Sequence, residues 1–493
     1  YYHCFADQKN SADYAYAFGV NEFVLCASAY QPWIDKYPGS TAGGKHYCLN
    51  RNNTYWEYSR PFWDYQARCS ALMRKGVPVV DICVYLGQNP PVKLVTYRLP
   101  EIPEGYDFDV CTAEALVGRT MAVDGRLTLP TGISYSLLVI QRNNDMPLHV
   151  LRHIAGLVKG GVIVCGPRPD GSDSLKDKAE SEEYRALVDE LWGELTTVSQ
   201  IRKVGKGKIY ENIPLSEVLK YENIRPDIAI KSGNTAKDKV YFVHRRLSDA
   251  DVYFLNNHSD RAFHDTIRLR TDARQAEYWD AVTGQRYMIP VKASGEKGML
   301  LNLTLAPRES GFIVTSNNQA TGLLPRIADV QETITPIEGS WNVYFDPRWG
   351  GPGKVVFDEL IDWTVHADTG IRYYSGTAVY HKELNLAMPA QNERLLLRFP
   401  RLGSLARVWV NGKEVVTVWC SPWEADITSY VHEGKNNLKI EVVNSLMNRM
   451  IGDASLPESE RFTYAYPQIV TPTDKLVPSG IMEQLNLVYR QYQ

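Results

Sequence analysis

The sequence predicts a multidomain chain that joins α/β and all-β units: the end of a (β/α)8 barrel, a small open α/β domain, a β-sandwich and a second β-rich module. Three observations lead there. The 493 residues exceed what one hydrophobic core normally supports, so three or four domains are expected. The first hundred residues alternate fully apolar runs with helical patterns and aromatic loops. After Lys239, short alternating segments punctuated by Asn, Gly and Pro follow one another at regular spacing.

The segment 1–105 is expected to be the carboxyl-terminal part of the barrel. It opens on a helical pattern at 11–18, where apolar and aromatic positions interleave. Residues 19–33, GVNEFVLCASAYQPW, then read as a buried strand carrying Val20, Phe23, Val24 and Leu25, followed by an aromatic, proline-broken loop. Barrels of this kind handle ligands at the carboxyl ends of their strands. Tyr30, Gln31, Pro32 and Trp33 place two flat rings around a side-chain amide. Such a set can stack on the C–H faces of a pyranose while exchanging hydrogen bonds with it. The long loop 31–55 contains PGSTAGG, and loops of this length within compact domains are usually functional. The stretch 58–75 reads as a helix closed by Gly76, and VPVVDICVYL at 77–86 reads as a second fully buried strand. Strand, loop, helix and strand make one βαβ-type unit.

Residues 106–237 change style. Leu137–Ile140 and 162–165 are short apolar strands, separated by a helical pattern over Leu148–Lys159 that stops at Gly160-Gly161. Residues 170–182 read as a polar surface insertion, and 183–234 add a helix and a GKGKIY strand. The Gly205-Lys206-Gly207 triplet lacks the spacing and the Ser/Thr of a phosphate loop and reads as a tight turn. Residues 238–318, with YFVHRR, DVYFLNN, FHDTIRLR, MLLNLTL and ESGFIVTS, suggest a β-sandwich. Residues 319–493 form the second β-rich module and its tail. There Asn411-Gly412 predicts a tight hairpin, and Asp426-Ile427-Thr428 a capped turn.

A net charge of -3 with dispersed Lys and Arg leaves no footprint for nucleic acid. No stretch of roughly 18 apolar residues occurs, so no membrane span is expected. Eight cysteines without CxxC pairs or regular spacing argue against a zinc ribbon or a disulfide framework, and most read as buried thiols. Asn52, Asn257 and Asn302 stand in N-x-Ser/Thr sequons, a tripeptide that also arises by chance. The 30 Tyr and 11 Trp include many in loop-like segments, which suits carbohydrate, although core and interface packing accounts for most rings of this kind. His3, His46 and the other histidines read as surface or hydrogen-bonded residues, and no dense run of oxygen ligands marks a calcium loop.

Five blocks in order resemble glycoside hydrolase family 106, the inverting α-L-rhamnosidases. They are GVNEFV with AYQPW; NTYWEYSRPFWDYQARCSALMRKG with VVDICVYLG; PEGYDFDVCTAEAL with DGRLTLPTGISYSLLVI; EYWDAVTG with LAPRESGFIV; and a final module. That module, with YYSGTAVYHKEL, VWVNG and SPWEADITSYVHEGKNNLKIEVVN, resembles the sugar-binding jelly roll of glycoside hydrolase family 2. The resemblance implies an amidotransferase-like character for 106–237 and a galactose-binding-like jelly roll for 319–493. If that last module binds glycan, Trp419 and Trp423 are its candidates; the alternative is a structural platform.

The resemblance further implies removal of terminal α-L-rhamnose from glycans by a secreted or periplasmic enzyme, and it allows a calcium ion near the pocket. Inversion needs two carboxyl groups about 6.5–9.5 Å apart, one protonated and one ionised. Within this sequence Glu57 is the catalytic candidate, with Asp35 and Asp81 behind it. Glu57 also suits a helix amino terminus, and Asp81, inside an apolar strand, suits a buried hydrogen-bonding role. The resemblance places acid and base on earlier barrel strands. These residues are therefore expected to be the carboxyl-terminal part of a longer enzyme, whose upstream part is the partner that closes the barrel. The substrate-contact candidates are Tyr30, Gln31, Trp33, Arg51, Tyr55 and Trp56, each with interdomain packing as its rival role. Cys26 and Tyr30 stand where relatives carry histidines, and Gln88 near an acidic position, which leaves the sugar open. Two other readings remain: a catalytically silent glycan-binding or scaffold protein, and a glycosidase of another specificity, such as a β-galactosidase.

Overall fold

The computed structural model describes residues 5–25, 29–43, 49–87, 99–141, 146–169, 171–172, 181–194, 198–233, 239–295, 297–318, 322–326 and 331–491. Helix α1 spans Phe5–Tyr16 and helix α2 spans Arg60–Met73. On α2 the buried positions Phe62, Tyr65, Cys69 and Met73 recur at three- and four-residue spacing and form one stripe. That stripe packs with Phe5 and Tyr16 of α1 against Phe254 and Phe312 of the β-sandwich and Trp419 of the last module. Just past α2, Gly76 adopts φ +60, and a Cβ there would lie 2.1 Å from the Arg246 carbonyl oxygen. Only glycine permits this close approach of the helix end to the sandwich.

Two strand expectations are corrected. Residues 20–25 form no strand: Val24 is 98% exposed and Leu25 51%. A strand needs neighbours for its backbone donors and acceptors, and among the described residues none lies beside this segment. The run 77–86 does contain a fully buried strand, Ile82–Tyr85, but it lies in the open α/β sheet. It pairs in parallel with Phe108–Cys111 on one side and Leu137–Ile140 on the other. Its apolar run announced burial on both faces, and burial is the same in a barrel or an open sheet. Ahead of it, Val77–Pro78 joins the β-sandwich, with Val77 opposite Arg246. A barrel is not seen among the described residues.

The open sheet has six strands in the order Gln200–Val204, Gly207–Glu211, Ile163–Cys165, Leu137–Ile140, Ile82–Tyr85 and Phe108–Cys111. Alternate residues face opposite cores. Cys83, Tyr85, Leu138 and Ile140 meet the helices Ala113–Arg119, Leu148–Lys159 and Ser181–Trp192, while Ile82, Val84, Leu137 and Val139 meet Leu215–Tyr221. The expected helix over Leu148–Lys159 is present, and Gly205-Lys206 is the turn of the hairpin that closes Val204 onto Gly207.

The following strands form a sandwich of a four-stranded and a seven-stranded sheet around Tyr253, Leu255, Ile267, Leu301 and Ile313. The last module likewise pairs a four-stranded with a six-stranded sheet around Trp341, Phe345, Trp363, Tyr380 and Leu397. Its hairpin turns at Asn411 and Gly412, with φ +50 and +78, as a two-residue turn with both φ positive requires. The Asp426 carboxylate accepts from Thr428 N and Oγ1 at 3.1 and 2.6 Å, capping the next turn. Among the described residues no helix is long and apolar enough to cross a membrane.

Candidate functional site

The aromatic loop after residue 29 is held by the last module. Pro38–Ser40 pairs in parallel with Tyr464–Tyr466, and the pairing is extended by Tyr464 N to Tyr37 O and Thr41 N to Tyr466 O, both 2.8 Å. Thr41 Oγ1 donates to Pro467 O at 2.8 Å. Inside the loop, the Gln31 amide donates to Ser40 O and accepts from Ser40 N, each at 2.8 Å. Gln31 is thereby a buried staple, its amide engaged with the backbone. Asn52 Nδ2 donates to Lys36 O at 2.9 Å, and Arg51 reaches the Gln31 and Trp33 carbonyls at 3.4 and 3.5 Å.

With its backbone fixed in this way, the loop presents side chains outward. The half-buried Trp33 meets Tyr464 edge-on, with centroids 5.1 Å apart at 73°. Lys36 Nζ lies 4.0 Å from the Tyr464 centroid and 5.9 Å from that of Trp33. Tyr30 and Ile34 flank them, 83% and 82% exposed, and Tyr466 is 64% exposed. Trp33, Lys36 and Tyr464 therefore form an aromatic, cationic seam between the amino-terminal segment and the last module. Sequence reasoning found Tyr30 and Trp33 but missed Lys36 and Tyr464. A single loop lysine reads as solvated, and the tyrosine lies more than four hundred positions away.

The remaining candidates sit elsewhere. Tyr55 is buried against Phe5, centroids 5.2 Å apart, and Trp56 is half-buried with its edge toward Trp63 at 6.5 Å. Glu57 is exposed on the single 3-10 turn Trp56–Tyr58, and its backbone carbonyl accepts from Arg407 at 3.1 Å. Asp35 is exposed in the seam loop, whereas Asp81 is buried in a separate junction, so the three candidate carboxylates are not gathered. Trp419 is buried between Phe62 and Tyr65, 5.8 Å from each, and half-buried Trp423 packs on the same core. His3, Cys26, His46 and Gln88 lie outside the described residues. Among the described residues no three His, Cys, Asp or Glu side chains gather to hold a metal.

The junction holding Asp81 joins the open sheet to the β-sandwich. Asp81 Oδ1 accepts from Ser136 Oγ at 2.6 Å, and Arg270 Nη2 contacts Asp81 Oδ2 at 2.7 Å and Asp227 Oδ1 at 2.6 Å. His244 bridges Asp227 at 2.9 Å and Asp251 at 3.1 Å, with Tyr253 stacked on its ring at 4.0 Å. Burial works against the Arg270 charge, but Asp227 and Asp81 outweigh it and hold the proton more tightly than usual. Burial also works against the Asp251 carboxylate, yet hydrogen bonds from His244, Thr271 and Arg246 hold it at about 2. Asp107 is pushed up to about 7 by burial, against the pull of the Phe108 N–H, with Asp109 and Asp227 adding repulsion.

A raised carboxyl often marks an active site. Position argues otherwise here. Asp81, Asp107 and Ser136 each precede a parallel strand, so the cluster lies at the amino edge of the sheet. Open α/β sheets take ligands at the carboxyl edge. The junction is interdomain cement.

Comparison with known proteins gives the class: a multidomain chain of the glycoside hydrolase type. The chain belongs to glycoside hydrolase family 106, whose sequence profile, described as alpha-L-rhamnosidase, matches residues 1–292. A second profile, the sugar binding domain of glycosyl hydrolases family 2, matches 328–489. The solved structure of a rhamnosidase from Novosphingobium sp. PP1Y superposes with a TM-score of 0.90 at 29% identity, over 99% of this chain and 46% of that one. A putative beta-glucuronidase of Formosa agariphila is 23% identical, over 92% of this chain and 57% of that protein. The chain thus spans about half the length of the relatives it matches.

Proposed function

We propose that the chain is part of an α-L-rhamnosidase that removes terminal α-L-rhamnose from glycans by inversion. The observation that supports this most is the family 106 match over 1–292, together with superposition of 99% of the chain on a rhamnosidase. In this reading the seam receives sugar: Trp33 and Tyr30 offer ring faces, a contribution of about 0.5–1.5 kcal/mol for each well-stacked ring. The acid and base come from barrel strands outside these 493 residues, because Glu57, Asp35 and Asp81 are not gathered. Those strands also cover the exposed apolar side chains of Val20, Val24 and Leu25. The periplasm or the cell exterior, where rhamnose-capped glycans are met, is the proposed location.

A second reading, a glycosidase acting on another sugar, draws on the relative named putative beta-glucuronidase. The test is release of sugar by the full-length protein, which carries the remaining barrel strands, from aryl α-L-rhamnoside and aryl β-glucuronide, with the anomer of the first product followed by NMR. Rhamnose released first as the β-anomer is the expected result. Glucuronic acid release alone would select the second reading, and release of neither would favour a silent glycan-binding protein.

A further inference from the structure

Cations that sit over aromatic rings in this protein are, with one exception among the described residues, neutralised by a carboxylate or capped by carbonyls. Lys9 over Tyr65 pairs with Asp13 at 2.7 Å, Lys439 over Trp409 with Glu441 at 2.8 Å, and Arg326 over Tyr278 with Glu309 at 2.6 Å. Arg286 over Trp279 pairs with Glu277 at 2.7 Å, Arg449 over Phe462 with Asp453 at 2.9 Å, and Arg407 over Tyr58 with Glu414 at 3.7 Å. Lys382 over Trp341 donates to the Gly339 and Ser340 carbonyls at 2.6 and 3.0 Å.

Lys36 is the exception. Its ammonium rests on Tyr464 and near Trp33, yet it makes no hydrogen bond or ion pair among the described residues. Arg51, on the same loop, touches the Gln31 and Trp33 carbonyls and meets no carboxylate among the described residues. An ammonium held over a ring is positioned while its three donors stay available outward. The Arg51 guanidinium, held at the Gln31 and Trp33 carbonyls of the same loop, adds a fork suited to paired anionic oxygens.

We propose that the seam is a subsite for an anionic sugar unit, carboxylated or sulfated, adjoining the sugar that is released. The anionic oxygens meet Lys36 and Arg51, and the ring face of that sugar lies along Trp33. This deepens the glycosidase reading and rests on it for the word adjoining, but the binding claim is tested separately.

Three rhamnose-capped disaccharides serve as probes: one with glucuronic acid as the second unit, its carboxyl-reduced glucose counterpart, and that neutral counterpart bearing a sulfate ester. Hydrogen bonds to charged groups predict that kcat/KM for at least one anionic probe exceeds the neutral one by about tenfold at low salt. Lys36→Met should bring that ratio close to one, Lys36→Arg should retain it, and Lys413→Met, a distant exposed hairpin lysine, should leave it unchanged. Whichever anionic probe gains identifies the group recognised. A ratio near one in the unmodified protein, or a ratio indifferent to Lys36→Met, overturns the proposal. If the full-length protein cleaves no probe, the glycosidase reading fails by itself. Calorimetric titration of the same probes then decides the subsite, which requires tighter binding of an anionic probe than of the neutral one.

Discussion

The junction at Asp81 and the seam at Trp33 use the same kinds of residue to opposite ends. At the junction every described cation has a buried carboxylate, aromatic rings are covered, and the groups lock two domains together. At the seam the backbone is fixed just as firmly, but Tyr30 is exposed, Trp33 and Tyr464 are only half-buried, and the cations lack counter-ions among the described residues. Perturbed titration therefore accompanies interdomain contact in this molecule, and unspent bonding capacity is what the proposed sugar surface offers. The difference follows from desolvation: a buried charge must be paired, whereas an exposed one can wait for a partner.

The largest effect should come from breaking the junction. Arg270→Met leaves Asp81 and Asp227 buried without their shared cation, and a loss of about 3–5 kcal/mol is expected in denaturant unfolding. Substrate KM should hold where the protein remains folded.

A smaller effect concerns pH. The Asp107 carboxyl, ordinarily near 3.8, is pushed up to about 7 in the fold, so the folded state holds this proton more tightly than the unfolded chain. Its contribution is full below about pH 4 and is lost as pH rises to about 7, beyond which it no longer changes. Asp107→Asn should remove roughly 1–3 kcal/mol of that slope, seen as a flatter curve of unfolding free energy against pH.

At the seam, Tyr464→Ala removes the ring beneath Lys36 and should raise KM about threefold while costing less than about 1 kcal/mol of stability. Tyr30→Ala should do least, shifting stability within about 0.5 kcal/mol, because the side chain is 83% exposed. A stability loss at Tyr30 comparable to that at Arg270 would erase the distinction between the two regions.

Much of this fold was legible in the sequence because local signals decide local structure. The helix at Leu148–Lys159, the Asn411-Gly412 turn and the alternating strands of the two β modules each carry their own periodicity or turn chemistry. Pairing partners were not legible. Ile82–Tyr85 shows the apolar run of any doubly covered strand, and nothing within it names Phe108–Cys111 and Leu137–Ile140 as neighbours. Val20 to Leu25 have the same apolar character but no described strand to pair with. At the site, Trp33 and Tyr30 were found through their rings. Gln31 carries the donor and acceptor of a sugar-binding amide, and only the fold shows both engaged with Ser40. Tyr55 shows how an aromatic side chain in a loop becomes core once a distant helix covers it.

The most direct test combines kinetics and stability in Trp33→Ala of the full-length protein, assayed on a rhamnose-capped disaccharide alongside its melting temperature. The seam as sugar-binding surface predicts KM raised roughly five- to tenfold, with kcat and melting temperature nearly unchanged. Unchanged KM together with a melting temperature lowered by several degrees would make Trp33 a packing residue and contradict the account.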